Sequence, residues 1–224
     1  VNFVSFSSRK KIEPLITDSK NQLFPQSNLY LIDDFCFTNK FPMSYCNYVQ
    51  QADAHPLHKK YHDQAYGFPI ENDNALFGRL ILEINQAGLS WLTILKKQAN
   101  FQKAYDQFSI EKVANYGEKD RKRLLNDAGI IRNKLKVNAA IHNAQAIVEL
   151  QKEFASFKAW LDQHHPLELK AWVKLFKRHF KFVGGEICNE FLMSCGYLPG
   201  THDKECPVYA EIKKQNPPWM QQKS

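Results

Sequence analysis

A chain of 224 residues, 44% hydrophobic and 13% aromatic, carries enough apolar mass for one large domain or two small ones, which excludes a disordered polypeptide. Its formal net charge of +7 favours a polyanionic partner, nucleic acid before a membrane, and no apolar run approaches the ~20 residues of a membrane span. Five scattered cysteines (Cys36, Cys46, Cys188, Cys195, Cys206) exclude the disulfide framework of a secreted domain, so a reducing, cytoplasmic compartment is expected.

Residues 1–42 show no clean period, are punctuated by Pro14, Pro25 and Pro42, and precede the first methionine, Met43. They are expected to be an extension or translated upstream sequence, with the working domain over 43–210. From Cys46 to Pro69 the text is loop-like and rich in polar and aromatic residues. Leu76, Phe77, Leu80, Ile81 and Ile84 then recur at helical spacing and predict an amphipathic helix over Asp73–Gln86, with Glu83 at the margin of its apolar face. Gly88 ends that helix, and Ser90 is placed to cap a second, from Trp91 to about Tyr105. A short helix is expected over residues 110–116 behind Ser109, and a basic one over Glu118–Asn126. After a tight turn around Gly129, Asn133 opens a long helix from Lys134 to about Lys152. Further helices are expected over 156–163, 167–178 and 185–195, and Pro207, Pro217 and Pro218 mark a loose tail that closes the chain over 211–224. Almost nothing alternates with period two, so the predicted class is all-α.

Three constellations carry candidate chemistry. The turn Leu125-Asn-Asp-Ala-Gly-Ile-Ile-Arg132 has Arg121, Lys122 and Arg123 on one flank and Arg132, Lys134 and Lys136 on the other. A glycine hairpin that turns N–H groups outward inside a basic frame suits phosphates, although a plain αα-hairpin with a solvated charged face has the same spacing. His202-x-x-x-Cys206 is spaced like half of a zinc site, and Cys46 with His62 offers a second half from the other loop-rich segment. Four such ligands leave no open position, so a metal there would be structural. Finally, Tyr61, Tyr66, Glu83 and Trp91 supply aromatic faces and a carboxylate, the groups that hold an extruded base. Spacing alone does not bring their two segments together.

In this order the motifs resemble the DNA-3-methyladenine glycosylase I family, a zinc-containing branch of the helix–hairpin–helix DNA glycosylases. The likeness runs through Tyr61-His-Asp, Tyr66-Gly67, Leu82-Glu-x-x-Gln-Ala-Gly-Leu-Ser-Trp91, Asp127-Ala-Gly-Ile-Ile-Arg132, Phe180-Lys-Phe-Val-Gly184, Cys195-Gly196 and His202-x-x-x-Cys206. The resemblance implies a helix–hairpin–helix glycosylase fold and a monofunctional enzyme that releases 3-methyladenine from double-stranded DNA, leaving an abasic site. It implies Glu83 and Tyr61 on the base edge, Trp91 stacked on the base, and Tyr66 as a further wall. Gly88 and Leu89 would face the lesion, and Gly129, Arg132, Lys134 and Lys136 the DNA backbone. Cys46, His62, His202 and Cys206 would hold one structural zinc that pins the two loop segments of a monomer. Departures from the family pattern, Tyr66 where Trp is usual and Glu186 with Asn189 after Phe-Val-Gly, motivate an alternative, a non-catalytic zinc-pinned module that binds damaged DNA.

Overall fold

Apolar residues at helical spacing become helices at nearly every position where the pattern asks for one. The computed structural model describes residues 43–221, so the expectation for residues 1–42 lies outside the described residues. In chain order the helices are α1 (Tyr45–Tyr48), α2 (Pro56–Gln64), α3 (Asp73–Gln86), α4 (Trp91–Ala104), α5 (Ile110–Ala114) and α6 (Glu118–Asn126). After the glycine turn come α7 (Lys134–Phe154), α8 (Phe157–His164), α9 (Leu169–His179), α10 (Gly185–Ser194) and α11 (Pro207–Lys214). No strand occurs among the described residues, and none of their helices is long and apolar enough to cross a membrane.

The caps fall on the expected side chains. The Thr93 N–H donates to Ser90 Oγ at 3.3 Å, and the Lys112 N–H to Ser109 Oγ at 3.4 Å. The first turn of α7 closes on Asn133, whose Oδ1 accepts from the N–H groups of Leu135 at 2.9 Å and Lys136 at 3.2 Å. Such caps contribute about 1 kcal/mol each by satisfying orphan helix donors.

Helix α3 is the central element, packed against α4, α7, α8 and α10. Leu76, Phe77, Leu80, Ile81 and Ile84 meet Ile94, Ala144, Ile147, Trp160 and Phe191 in one core. Burial at that centre extends past the apolar stripe: Glu83 is 5% exposed, enclosed rather than at the margin of a face.

Two expectations need correction. Part of the stretch from Cys46 to Pro69 is helical, with α2 opened by His55, whose Nδ1 accepts from the Leu57 N–H at 3.2 Å, and by Pro56 in the first turn. The inward face of α2 is His58, Tyr61 and His62. That is a helical period written in polar and aromatic residues, which a hydrophobic count overlooks. The segment expected to be a loose tail begins inside α11, buries Ile212, and returns to the body where the Trp219 N–H donates to the Gly196 carbonyl at 3.1 Å.

Candidate base pocket and metal centre

The turn from α2 into the following loop places Tyr61 and Tyr66 against α3 and the start of α4. The Tyr61 ring lies 5.0 Å from the Trp91 ring and 5.4 Å from the Tyr66 ring, so the aromatic residues of both segments meet. Trp91 is 3% exposed, and its indole N–H finds no hydrogen-bond partner. A buried donor left in that state lowers stability by roughly 1–3 kcal/mol, and a ligand acceptor would restore it.

Glu83 approaches the two tyrosines from α3. Burial raises its carboxyl to about 7, while the nearby Arg79 charge and a hydrogen bond with Ser194 pull the other way. Arg79 is one helical turn before Glu83, and its Nη1 donates to Tyr61 Oη at 2.8 Å. Because Tyr61 Oη accepts from Arg79, its own proton is directed to another acceptor. Tyr66 Oη donates to Glu190 Oε2 at 3.3 Å. Glu190, on α10, is also buried and is raised to about 8 by burial and by the charge of Glu83. Neither Arg79 nor Glu190 was singled out from the sequence. Arg79 had a signal, since four residues separate it from Glu83 on one helix face. Glu190 had a weaker one, an acid inside the apolar run Ile187 to Leu192.

The second cluster joins the two ends of the described chain. Cys46 on α1, His62 on α2, His202 in the loop before α11, and Cys206 at its cap offer ligand atoms that all lie within 4.8 Å of one another. His62 Nε2 stands 3.3 Å from Cys46 Sγ, 3.1 Å from His202 Nδ1 and 3.8 Å from Cys206 Sγ. His202 Nδ1 stands 3.7 Å from each sulfur. A tetrahedron with metal–N of about 2.0–2.1 Å and metal–S of about 2.3 Å has edges of roughly 3.3–3.8 Å, so this donor set fits a four-coordinate ion.

The outward nitrogens are fixed as well. His62 Nδ1 donates to Asp63 Oδ1 at 2.7 Å, and His202 Nε2 to the Tyr66 carbonyl at 2.8 Å. Each bond sets the tautomer that turns the other nitrogen inward. Burial lowers His202 to about 4 and raises the Cys46 thiol to about 12, so a thiolate there calls for a cation beside it. The Asp203 N–H also donates to Cys46 Sγ at 3.3 Å, and Asp203 is held by the Ser44 hydroxyl.

A family model described as methyladenine glycosylase matches residues 51–209. The chain belongs to the methyladenine glycosylase family. It is 37% identical over 186 residues to DNA-3-methyladenine glycosylase 1 of Escherichia coli K12, spanning 75% of this chain and 97% of that relative. A solved tyrosine-to-phenylalanine variant of 3-methyladenine DNA glycosylase I, in complex with 3-methyladenine, superposes with a TM-score of 0.65. It is 30% identical and covers 74% of this chain and 97% of its own. A glutamate-to-glutamine variant of the Staphylococcus aureus glycosylase gives the same TM-score, identity and coverage.

In this methyladenine glycosylase the glycine turns are placed differently from one another. Gly88, exposed between α3 and α4, has φ +79°, and a Cβ there would meet open space, so the backbone conformation alone asks for glycine. Leu89 beside it is half-buried. At the hairpin, the Gly129 N–H donates to Asp127 Oδ1 at 2.7 Å, so this donor turns back onto its own loop rather than outward. Lys97 Nζ donates to the carbonyls of Ala128 at 3.0 Å and Gly129 at 3.2 Å.

Arg132 and Lys134 are exposed on the hairpin as expected. Lys136 is not. It is buried, and its Nζ donates to the carbonyls of Asn85 at 2.8 Å and Ala87 at 2.7 Å. The assignment of Lys136 to the DNA backbone is therefore corrected: its ammonium answers the unpaired carbonyls at the end of α3 and fixes the turn that carries Gly88 and Leu89.

Proposed function

We propose that this protein is a monofunctional DNA glycosylase that hydrolyses the N-glycosidic bond of 3-methyladenine in double-stranded DNA and leaves an abasic site. One observation carries the reading: a buried acid, Glu83, lies close enough to act on Tyr61, whose ring is 5.0 Å from that of Trp91. The tyrosine and glutamate replaced in the two solved variants support it, since they are the same number of positions apart as Tyr61 and Glu83.

Methylation at N3 makes the adenine a cation, weakens its bond to the sugar and provides a good leaving group, so no proton donor to the base is needed. The protein's task is extraction and retention. Unstacking a damaged base costs a few kcal/mol. Stacking on Trp91 contributes about 1–3 kcal/mol, and a charge-assisted bond to Glu83 about 1.5–3 kcal/mol, which together offset it. Tyr61, held by Arg79, aims its hydroxyl at the base edge, and Tyr66 forms a wall. Gly88 and Leu89 on the turn anchored by Lys136 face the vacated stack. Glu83 recognises the base rather than activating water, which attacks a sugar of oxocarbenium character.

Arg132 and Lys134 hold backbone phosphates. Zinc is the ion that suits the Cys46, His62, His202 and Cys206 set, because two thiolates and two imidazoles at tetrahedral spacing favour it and close its coordination. It contributes structure only. The protein acts as a cytoplasmic monomer. Product analysis on a methylated duplex tests the chemistry: strands should break only after alkali, at adenines. Breaks formed by the protein alone would overturn the monofunctional assignment.

A further inference from the structure

We infer that Glu190 is a second base-reading carboxylate, set across the α3–α10 interface from Glu83 so that a cationic purine is held between two acids. The inference rests on the pocket proposed above and extends it to a residue on α10.

Glu190 is 8% exposed, on a helix packed directly against α3. Its Oε2 accepts from Tyr66 Oη at 3.3 Å and its Oε1 from Asn189 Nδ2 at 3.4 Å. Both bonds are long, and each carboxylate oxygen has a second lone pair to offer. The Tyr66 that it meets is the same ring that lies tilted beside Tyr61 and, through it, near Trp91. Glu190 thus meets, through Tyr66, the same aromatic group that Glu83 faces.

The charged and titratable groups that act on this position are Glu83 from α3, Tyr66 from the loop after α2 and Glu186 from the first turn of α10, while Arg79 of α3 acts on Glu83 and Tyr61. One guanidinium cannot neutralise two enclosed carboxylates, and Arg79 is already bonded to Tyr61. Two buried acids at close range are unfavourable in a resting protein. They are retained where the counter-charge arrives with a ligand, and the ligand of this pocket is a cation.

Burial holds Glu83 near 7, and burial together with the charge of Glu83 holds Glu190 near 8, so the pair keeps about one proton around neutrality. Excision by the wild type should therefore rise between pH 6 and 9 as the second acid ionises. Glu190→Gln leaves Glu83 as the single acid, with the burial that sets its titration near 7 unchanged, and should excise at close to the wild-type rate at pH 6.5, where Glu190 is protonated in the wild type. It should fall about tenfold behind at pH 9, the size of one lost charge-assisted contact.

The experiment is single-turnover release of 3-methyladenine from methylated DNA across that pH range, by the zinc-loaded wild type, Glu190→Gln and Tyr66→Phe. If Glu190 only anchors Tyr66, both variants lose the same factor at every pH, and the inference is overturned. If the wild type releases no base at any pH, the pocket itself is misassigned. If the wild type works and Glu190→Gln matches it throughout, Glu190 alone is wrong. Should Glu190→Gln fail to fold, carboxyl NMR titration of the wild type decides. Two glutamates titrating in linked steps between pH 6 and 9 support the pair, and none above pH 5.5 removes it.

Discussion

Glu83→Gln preserves the shape and hydrogen-bonding atoms of the side chain while deleting its charge, and its effects on stability and on rate should have opposite signs. In the folded protein the carboxyl titrates near 7 instead of 4.5, with burial as the main cause. Between those values the folded state keeps a proton that the unfolded chain has released, so stability falls as pH rises from about 4.5 through 7. The full penalty, present above pH 7, is the shift multiplied by 1.36 kcal/mol per unit, or about 3 kcal/mol. At pH 5 it is under about 1 kcal/mol. Glu83→Gln should thus melt about 5–10 °C higher than the wild type at pH 8, with the gap closing towards pH 5. Its single-turnover release of 3-methyladenine should be roughly ten- to a hundredfold slower, through loss of a charge-assisted bond of ~1.5–3 kcal/mol. Calorimetry at the two pH values and a quench assay read both effects on the same preparation. Equal melting at pH 8 would refute the enclosed, strained carboxylate, and unchanged release would remove Glu83 from the base.

Other outcomes follow from the same geometry. Cys46→Ser or His202→Ala should abolish stoichiometric zinc, lower the Tm, and expose both ligand-bearing segments to protease together, because they share the ion; metal analysis showing full occupancy would refute the ligand set. Lys134→Glu should weaken binding to undamaged and damaged DNA alike and reduce the salt slope by about one unit or more. Lys136→Met, by contrast, should leave that slope unchanged and destabilise the fold by about 1.5–3 kcal/mol, having lost the ammonium from two α3 carbonyls. Trp91→Ala should lower excision as well as stability, the latter by about 3–5 kcal/mol, since its ring is both wall and core.

The regular helices were legible because α3, α4, α7 and α10 write their buried faces in Leu, Ile, Val and Phe and begin on Ser, Asn or Gly. Helix α2 was not, because its buried face consists of His58, Tyr61 and His62, residues that a hydropathy pattern scores as polar. The Cys46, His62, His202 and Cys206 cluster was legible by residue type and motif, not by periodicity, and only the fold could bring Cys46 to His202 across most of the chain. Lys136 shows the limit of charge patterning. Two positions along the helix from Lys134, it looks like the same basic flank, yet that step turns it about 160° around α7, toward α3. Arg79 and Glu190 left only faint signals in the sequence for a related reason: their meaning lies in a buried charge balance among residues from three elements.

The most direct test is the release of free base. Methylated duplex DNA is incubated with an excess of the zinc-loaded protein, and the soluble products are resolved by chromatography over time. Release of 3-methyladenine well above the spontaneous rate, leaving strands intact until alkali, is the predicted result. Tight binding of the methylated duplex with release no faster than in buffer would contradict a catalytic pocket and leave a zinc-pinned module that binds damaged DNA.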